Sequence, residues 1–141
     1  MQMASANGIS VELTAGNDVI VGDEFDNVIF GASATLNAGD SLDGGGGTDT
    51  LRLAFPPSTE YIYLDQLSAF SGIEKLDILT FDSSSYVALS LRDGADLTVT
   101  LLGPGTVDIT LSTGSETIIG GSGANYFRIK RAVELTAVDS L

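Results

Sequence analysis

The sequence predicts an all-β, right-handed parallel solenoid, a β-roll or β-helix built as a single domain of 141 residues. Three observations lead there. Short apolar segments recur at an offset of nine residues near both ends of the chain. Between them, segments of alternating apolar and polar residues read as half-buried strands. Glycine, at 17 of 141 residues, exceeds its usual share of about 7% and gathers with acidic residues at the breaks between strands.

The N-terminal repeats come first in the chain. Gly16-Asn17-Asp18-Val19-Ile20-Val21 aligns with Phe25-Asp26-Asn27-Val28-Ile29-Phe30, with Gly22 and Gly31 following at equivalent places. Asp40-Ser41-Leu42 aligns with Asp49-Thr50-Leu51 at the same offset. Glycine permits a tight turn and close backbone approach, the aspartate adds a carboxylate to that turn, and the next three residues form a short strand whose apolar member enters the core. A flexible glycine-rich linker would not keep Ile20, Ile29, Leu42 and Leu51 in register. One nonapeptide is half a coil, so equivalent turns on one edge recur every two repeats. The step from Asn27 to Asp40 is thirteen rather than nine, which implies a four-residue insertion within 32–37. Alternation then places Asp18 with Asp40 on one edge and Asn27 with Asp49 on the other, both pairs 22 apart.

Composition narrows the chemistry. The chain has 19 Asp plus Glu against 6 Lys plus Arg, a net charge of −13, and neither Cys nor His. Ser-His-Asp and Cys-His nucleophiles, His or Cys zinc sites and disulfides are therefore excluded. The charge has the wrong sign for nucleic acid and for an anionic membrane surface, and no stretch is long and apolar enough to span a bilayer. Residues 1–51 carry eight acids (Glu12, Asp18, Asp23, Glu24, Asp26, Asp40, Asp43 and Asp49) and no base. Such a density opposes compaction unless a cation offsets it, and hard oxygen donors suit Ca²⁺. A solvated acidic face is the alternative.

Two stretches follow the nonapeptide Gly-Gly-x-Gly-x-Asp-x-U-x, where U is a large apolar residue. Gly44-Gly45-Gly46-Gly47-Thr48-Asp49-Thr50-Leu51-Arg52 matches throughout, and Gly120-Gly121-Ser122-Gly123-Ala124-Asn125-Tyr126-Phe127-Arg128 matches with Asn125 in place of Asp. On these motifs the chain resembles the RTX (haemolysin-type) calcium-binding repeat family, over about a third of its length. The resemblance implies a parallel β-roll in which each Ca²⁺ sits between successive turns of one edge. The expected ligands are Asp18 with Asp40, and Asn27 with Asp49, completed by turn carbonyls near Gly44 and Gly46. Asp23, Asp26 and Asp43 lie in or beside the same turns as second-choice ligands or as a supporting negative field. At the far end Glu116 and Asn125 stand where Asp is expected, so those turns should bind Ca²⁺ weakly or not at all.

The rest of the chain continues the rhythm. Residues 51–55, 76–78, 87–91, 97–101 and 107–111 alternate, and Gly94, Gly103-Pro104-Gly105 and Gly114 punctuate them. The domain therefore divides into a flexible leader (1–10), acidic Gly-rich calcium-binding coils (12–54), a loop or short helical lobe (56–72) and stacked strands with a degenerate repeat pair (73–137). The lobe is expected because Pro56-Pro57 break a strand and Leu64, Leu67 and Phe70 fall three apart. Gly72-Ile73-Glu74-Lys75-Leu76-Asp77-Ile78 further resembles segments of bacterial surface-layer proteins and type I-secreted adhesins. That likeness implies a secreted or cell-surface structural or adhesive domain, held folded by calcium, with calcium-mediated self-association or docking to neighbouring domains. The alternative is a non-catalytic accessory module of a secreted polysaccharide-active enzyme. No enzyme activity is expected: the candidate carboxylates Asp77, Asp93, Asp96 and Asp108 read as solvent-facing strand or turn positions. Arg128, Lys130 and Arg131 read as an outward strand face and cap, or as a dock for an acidic neighbour.

Overall fold

The computed structural model describes residues 8–128. Thirteen strands make up almost all its regular structure: β1 (Ser10–Glu12), β2 (Val19–Val21), β3 (Val28–Ala32), β4 (Ser41–Asp43), β5 (Thr50–Phe55), β6 (Thr59–Tyr63), β7 (Ala69–Ser71), β8 (Lys75–Thr80), β9 (Tyr86–Ser90), β10 (Leu97–Leu102), β11 (Thr106–Thr110), β12 (Glu116–Ile119) and β13 (Asn125–Arg128). A single 3-10 turn, Leu64–Gln66, interrupts them. Every strand pairing is parallel. The strands form a six-stranded sheet β1-β3-β5-β8-β10-β12, a three-stranded sheet β2-β4-β7 and a four-stranded sheet β6-β9-β11-β13. The chain is an all-β parallel solenoid.

Period-two patterning builds each wall. β8 and β10 alternate buried and half-exposed residues, so Leu76, Ile78, Val99 and Leu101 point inward while Asp77 and Thr100 point out. Twenty-two buried apolar residues from Leu13 to Ile118 form one continuous core. Stacking is in register at both ends with the minimal coil of 18 residues: Ser10 faces Val28, and Val107 faces Asn125. Interior coils are longer. Val28 faces Thr50, 22 residues on, and the extra length lies in a turn in which the Thr35 and Leu36 amides both donate to the Ala32 carbonyl (3.0 and 2.9 Å). Leu36 from that turn packs against the core.

Residues 56–72 correct the expectation of a loop or helical lobe. Thr59–Tyr63 and Ala69–Ser71 are strands of two different sheets, and only Leu64–Gln66 turns helically. The spacing of Leu64, Leu67 and Phe70 reflects a chain rounding a corner of the coil, placing Leu64 and Leu67 in the core with Phe70 packed against it. At this coil the solenoid changes partner sheets. Before it, coils alternate between the six- and three-stranded sheets; after it, they alternate between the six- and four-stranded sheets. The Arg92 guanidinium donates to the Leu67 carbonyl (2.8 Å), tying the next coil to this corner. Lys130 and Arg131, the leader residues 1–7 and the end of the 73–137 segment lie outside the described residues.

Candidate calcium-binding turns

One edge of the N-terminal coils stacks the turn Gly22–Asn27 on the turn Gly44–Asp49, because β3 and β5 pair with a step of 22. Glycine is required in the second turn. Gly45 and Gly47 have φ of +89° and +91°, where a side chain is strained. A Cβ on Gly44 would run into the Gly72 carbonyl oxygen and the Asp49 side chain.

Asn27 and Asp49 are stacked and buried on this edge. Asp49 Oδ1 accepts the Asn27 backbone N–H (2.6 Å) and the Asn27 side-chain amide (2.8 Å). The same Nδ2 donates to the carbonyls of Phe25 and Gly44, each at 2.7 Å. Three oxygens thus converge on one neutral donor. The Asn27 Oδ1 is turned away to accept the Ile9 N–H (2.7 Å). As placed, Asn27 gathers the oxygens of two turns rather than offering one of its own. Asp49 N–H in turn donates to Glu74 Oε2 (2.9 Å), extending the ladder by one coil.

Asp49 is 1% exposed, and its Oδ2 is buried with no hydrogen-bond partner. Asp23 has the same defect at Oδ2, while its Oδ1 accepts the Phe25 N–H (3.0 Å). Burial raises the Asp49 pKa above its ordinary value, against the lowering effect of the Asn27 hydrogen bonds; the Glu74 and Asp26 charges add to the rise. A buried unsatisfied polar atom costs about 1–3 kcal/mol, and more when charged. The defect is the kind that a bound cation removes, and carboxylate and carbonyl oxygens are the donors Ca²⁺ takes.

The other edge differs. Asp18 and Asp40 are stacked as β2 and β4 pair with a step of 22, and Asp40 Oδ1 accepts the Asp18 N–H (2.9 Å). Here all four carboxylate oxygens already have donors. Asp40 Oδ2 accepts the Asn37 N–H (2.9 Å), and Asp18 accepts the Thr14 N–H (2.8 Å) and hydroxyl (2.9 Å). Asp26 and Asp43 accept the N–H groups of Thr48 (2.8 Å) and Gly45 (3.1 Å), and Gly46 N–H donates to the Asp23 carbonyl (2.8 Å). Among the described residues no three acidic side chains converge into a ready cluster. A cation on either edge would rely heavily on main-chain carbonyls.

At the C-terminal end Glu116 is buried and bonded to Ser112, while Asn125 presents a buried Oδ1 without a partner beside the Gly120–Gly123 turn. The carboxylates weighed as catalytic candidates are engaged. Asp77 pairs with Arg52 (2.7 Å), Asp108 with Arg128 (2.6 Å), and Asp93 and Asp96 accept the N–H groups of Thr113 (3.2 Å) and Ser115 (2.8 Å).

Comparison with known families agrees with these turns. The RTX calcium-binding nonapeptide repeat matches in four copies, over residues 13–34, 37–53 and 111–128. The chain carries RTX calcium-binding repeats. Such repeats bind calcium, and this chain is a calcium-binding solenoid. Both stacked edges of the N-terminal coils lie within the matched segments, whereas the middle coils continue the solenoid outside them. RTX-repeat solenoids are generally structural, and RTX-repeat proteins are typically exported by type I systems. No curated protein and no solved structure matches the chain. Among the described residues no helix is long and apolar enough to cross a membrane.

Proposed function

We propose that calcium is held chiefly on the Gly22–Asn27/Gly44–Asp49 edge, with Asp49 as the principal charged ligand, Asp23 as its second, and carbonyls of the two glycine turns completing the shell. The observation that carries this reading is the buried Asp49 Oδ2 left without a hydrogen-bond partner inside the best-formed repeat. Calcium supplies positive charge there. It offsets the eight acids of residues 1–51 and couples ion binding to folding of the N-terminal coils. The Asp18–Asp40 edge is a second and weaker site, since ion binding there competes with four hydrogen bonds to backbone and hydroxyl donors.

The domain then serves as a calcium-stiffened spacer or adhesive element of a secreted or cell-surface protein. It stays unfolded in part where calcium is scarce and sets outside the cell, where calcium is abundant. Asp77, Asp93, Asp96 and Asp108 serve structure rather than catalysis. The test is calorimetric titration with Ca²⁺ on the parent, Asp49→Ala and Asp40→Ala. Asp49→Ala should remove the tighter site and Asp40→Ala only the weaker. If both variants bind like the parent, or Asp40→Ala abolishes all binding, the assignment fails. Magnesium should substitute poorly, because it demands tighter octahedral geometry and gives up water reluctantly.

A further inference from the structure

All four tyrosines of the protein, Tyr61, Tyr63, Tyr86 and Tyr126, lie on the outer face of the four-stranded sheet. Register fixes their arrangement. One outward row reads Tyr61, Ala88, Asp108, Tyr126, and the next reads Tyr63, Ser90, Thr110, Arg128. Neighbouring strands lie about 4.8 Å apart, so the aromatic ends of the first row stand about 14 Å from each other. The floor between them is made of small residues, Ala88, Ser90 and Thr110. The result is a trough across the strands, with a cleft of about 390 Å³ lined in part by Tyr61, Tyr63 and Tyr86. Tyr61 and Tyr126 are 60% and 56% exposed.

The polar groups of the trough are fixed in place. Tyr86 O–H donates to Asp108 Oδ2 (2.9 Å), and Arg128 grips the same carboxylate through Nε (2.8 Å) and Nη2 (2.6 Å). Asp108 is buried under these two partners although its strand position faces outward. Arg128, 69% exposed along its side chain, keeps further N–H donors for a ligand. Among the described residues the only charges on these outward rows, Asp108 and Arg128, cancel each other. A neutral face on a chain of net charge −13 suits neither a polyanion nor a cation. It suits a ligand with apolar faces and many hydroxyls. A tyrosine ring gives such a ligand a flat apolar surface and a polar tip at little entropic cost.

We propose that the outer face of the four-stranded sheet binds a neutral polysaccharide chain, stacked between Tyr61 and Tyr63 at one end of the trough and Tyr126 at the other. This face is distinct from the acidic turns and needs only the folded solenoid. Its failure is therefore separable from that of the calcium assignment. Affinity electrophoresis in saturating calcium, through gels containing laminarin, xylan or mannan, tests it, with polygalacturonate as the polyanionic control. At least one neutral glycan should retard the protein. Tyr61→Ala and Tyr126→Ala should each weaken that retardation by about tenfold, while Tyr61→Phe, which keeps the ring, should retain most of it. Unchanged melting curves would show that the exposed substitutions leave the fold intact. Retardation by polygalacturonate alone, by none of the four, or equally in the alanine variants would overturn the proposal. So would a calcium-independent dimer that Tyr61→Ala dissociates in sedimentation velocity, since that assigns the face to a second copy.

Discussion

As the proposed calcium ligand, Asp49 should carry opposite consequences with and without calcium. Its folded pKa is raised by burial, so its favourable contribution to the metal-free fold is fully present below the ordinary value of 3.8 and is lost as pH rises through the elevated folded value. Towards neutral pH the burial of this charge therefore penalises the metal-free fold, and calcium bound at the proposed site should reverse the penalty. Asp49→Asn keeps an acceptor for Asn27 and removes the charge. In chelator it should melt several degrees higher than the parent, while its calcium-dependent rise should shrink; scanning calorimetry in both buffers reads the pair of effects. A variant that melts lower than the parent in chelator would mean that Asp49 already has a partner there. The stacking of Asn27 on Asp49 and of Asp18 on Asp40 was legible from counting, because a period-two strand and a fixed turn leave no other way to keep Ile20, Ile29, Leu42 and Leu51 inward. Which oxygens remain without donors was not legible. That depends on an amide orientation at Asn27 and on whether each turn closes on its own N–H groups, neither of which residue type records.

At the scale of the element, the Gly44–Asp49 turn separates two uses of glycine. Gly44 packs against the Gly72 carbonyl and Asp49, whereas the nearest atom to a Cβ on Gly46 is the Glu24 Cα at 3.4 Å, and the φ of Gly46 is not positive. Gly44→Ala should therefore cost on the order of 2–3 kcal/mol through a forced displacement of the next coil. Gly46→Ala should lie within about 1 kcal/mol of the parent, in either direction. Urea melts in calcium distinguish them, and equal losses would contradict the close approach at Gly44. The middle coil was the hardest element to read. Pro56-Pro57 and the three-residue spacing of Leu64, Leu67 and Phe70 mimic a helical lobe, yet the same spacing arises when three inward residues flank a corner. Sequence periodicity reports which side chains are buried; it does not report that the second wall of the solenoid is handed from one sheet to another.

The Arg128–Asp108–Tyr86 cluster ties three strands of the four-stranded sheet together and gives a second pH signature. Hydrogen bonds from Arg128 hold the Asp108 pKa below its ordinary value of 3.8, against the effect of burial. The stability it adds is present above 3.8 and is lost as pH falls through the depressed folded value. Asp108→Asn should leave the parent and variant closest in stability at the acid end and furthest apart near neutrality. Denaturant midpoints at a series of pH values measure this. The variant should fall short by about 1–3 kcal/mol at neutral pH, and a gap that widens towards acid would contradict the assigned direction.

Across the whole molecule, charge and core are distributed differently. The apolar core runs unbroken from Leu13 to Ile118, but eight acids without a base occupy residues 1–51, and the first cation is Arg52. In a solenoid each coil touches only its neighbours, so stability is close to a sum of local terms and part of the stack can open alone. Removing calcium should therefore loosen the N-terminal coils first. Beyond them bases are interspersed with the acids, and Arg52 pairs with Asp77 (2.7 Å) and Arg128 with Asp108 (2.6 Å). Amide hydrogen exchange with and without chelator tests this directly. In chelator the amides of β2 to β4 should exchange at least about tenfold faster than in calcium, while those of β8 to β11 should keep most of their protection. Mutual repulsion of the acids, acting where no cation offsets it, requires that gradient. Uniform loss of protection from β2 to β11 would make the solenoid a single cooperative unit, with calcium acting on all of it at once.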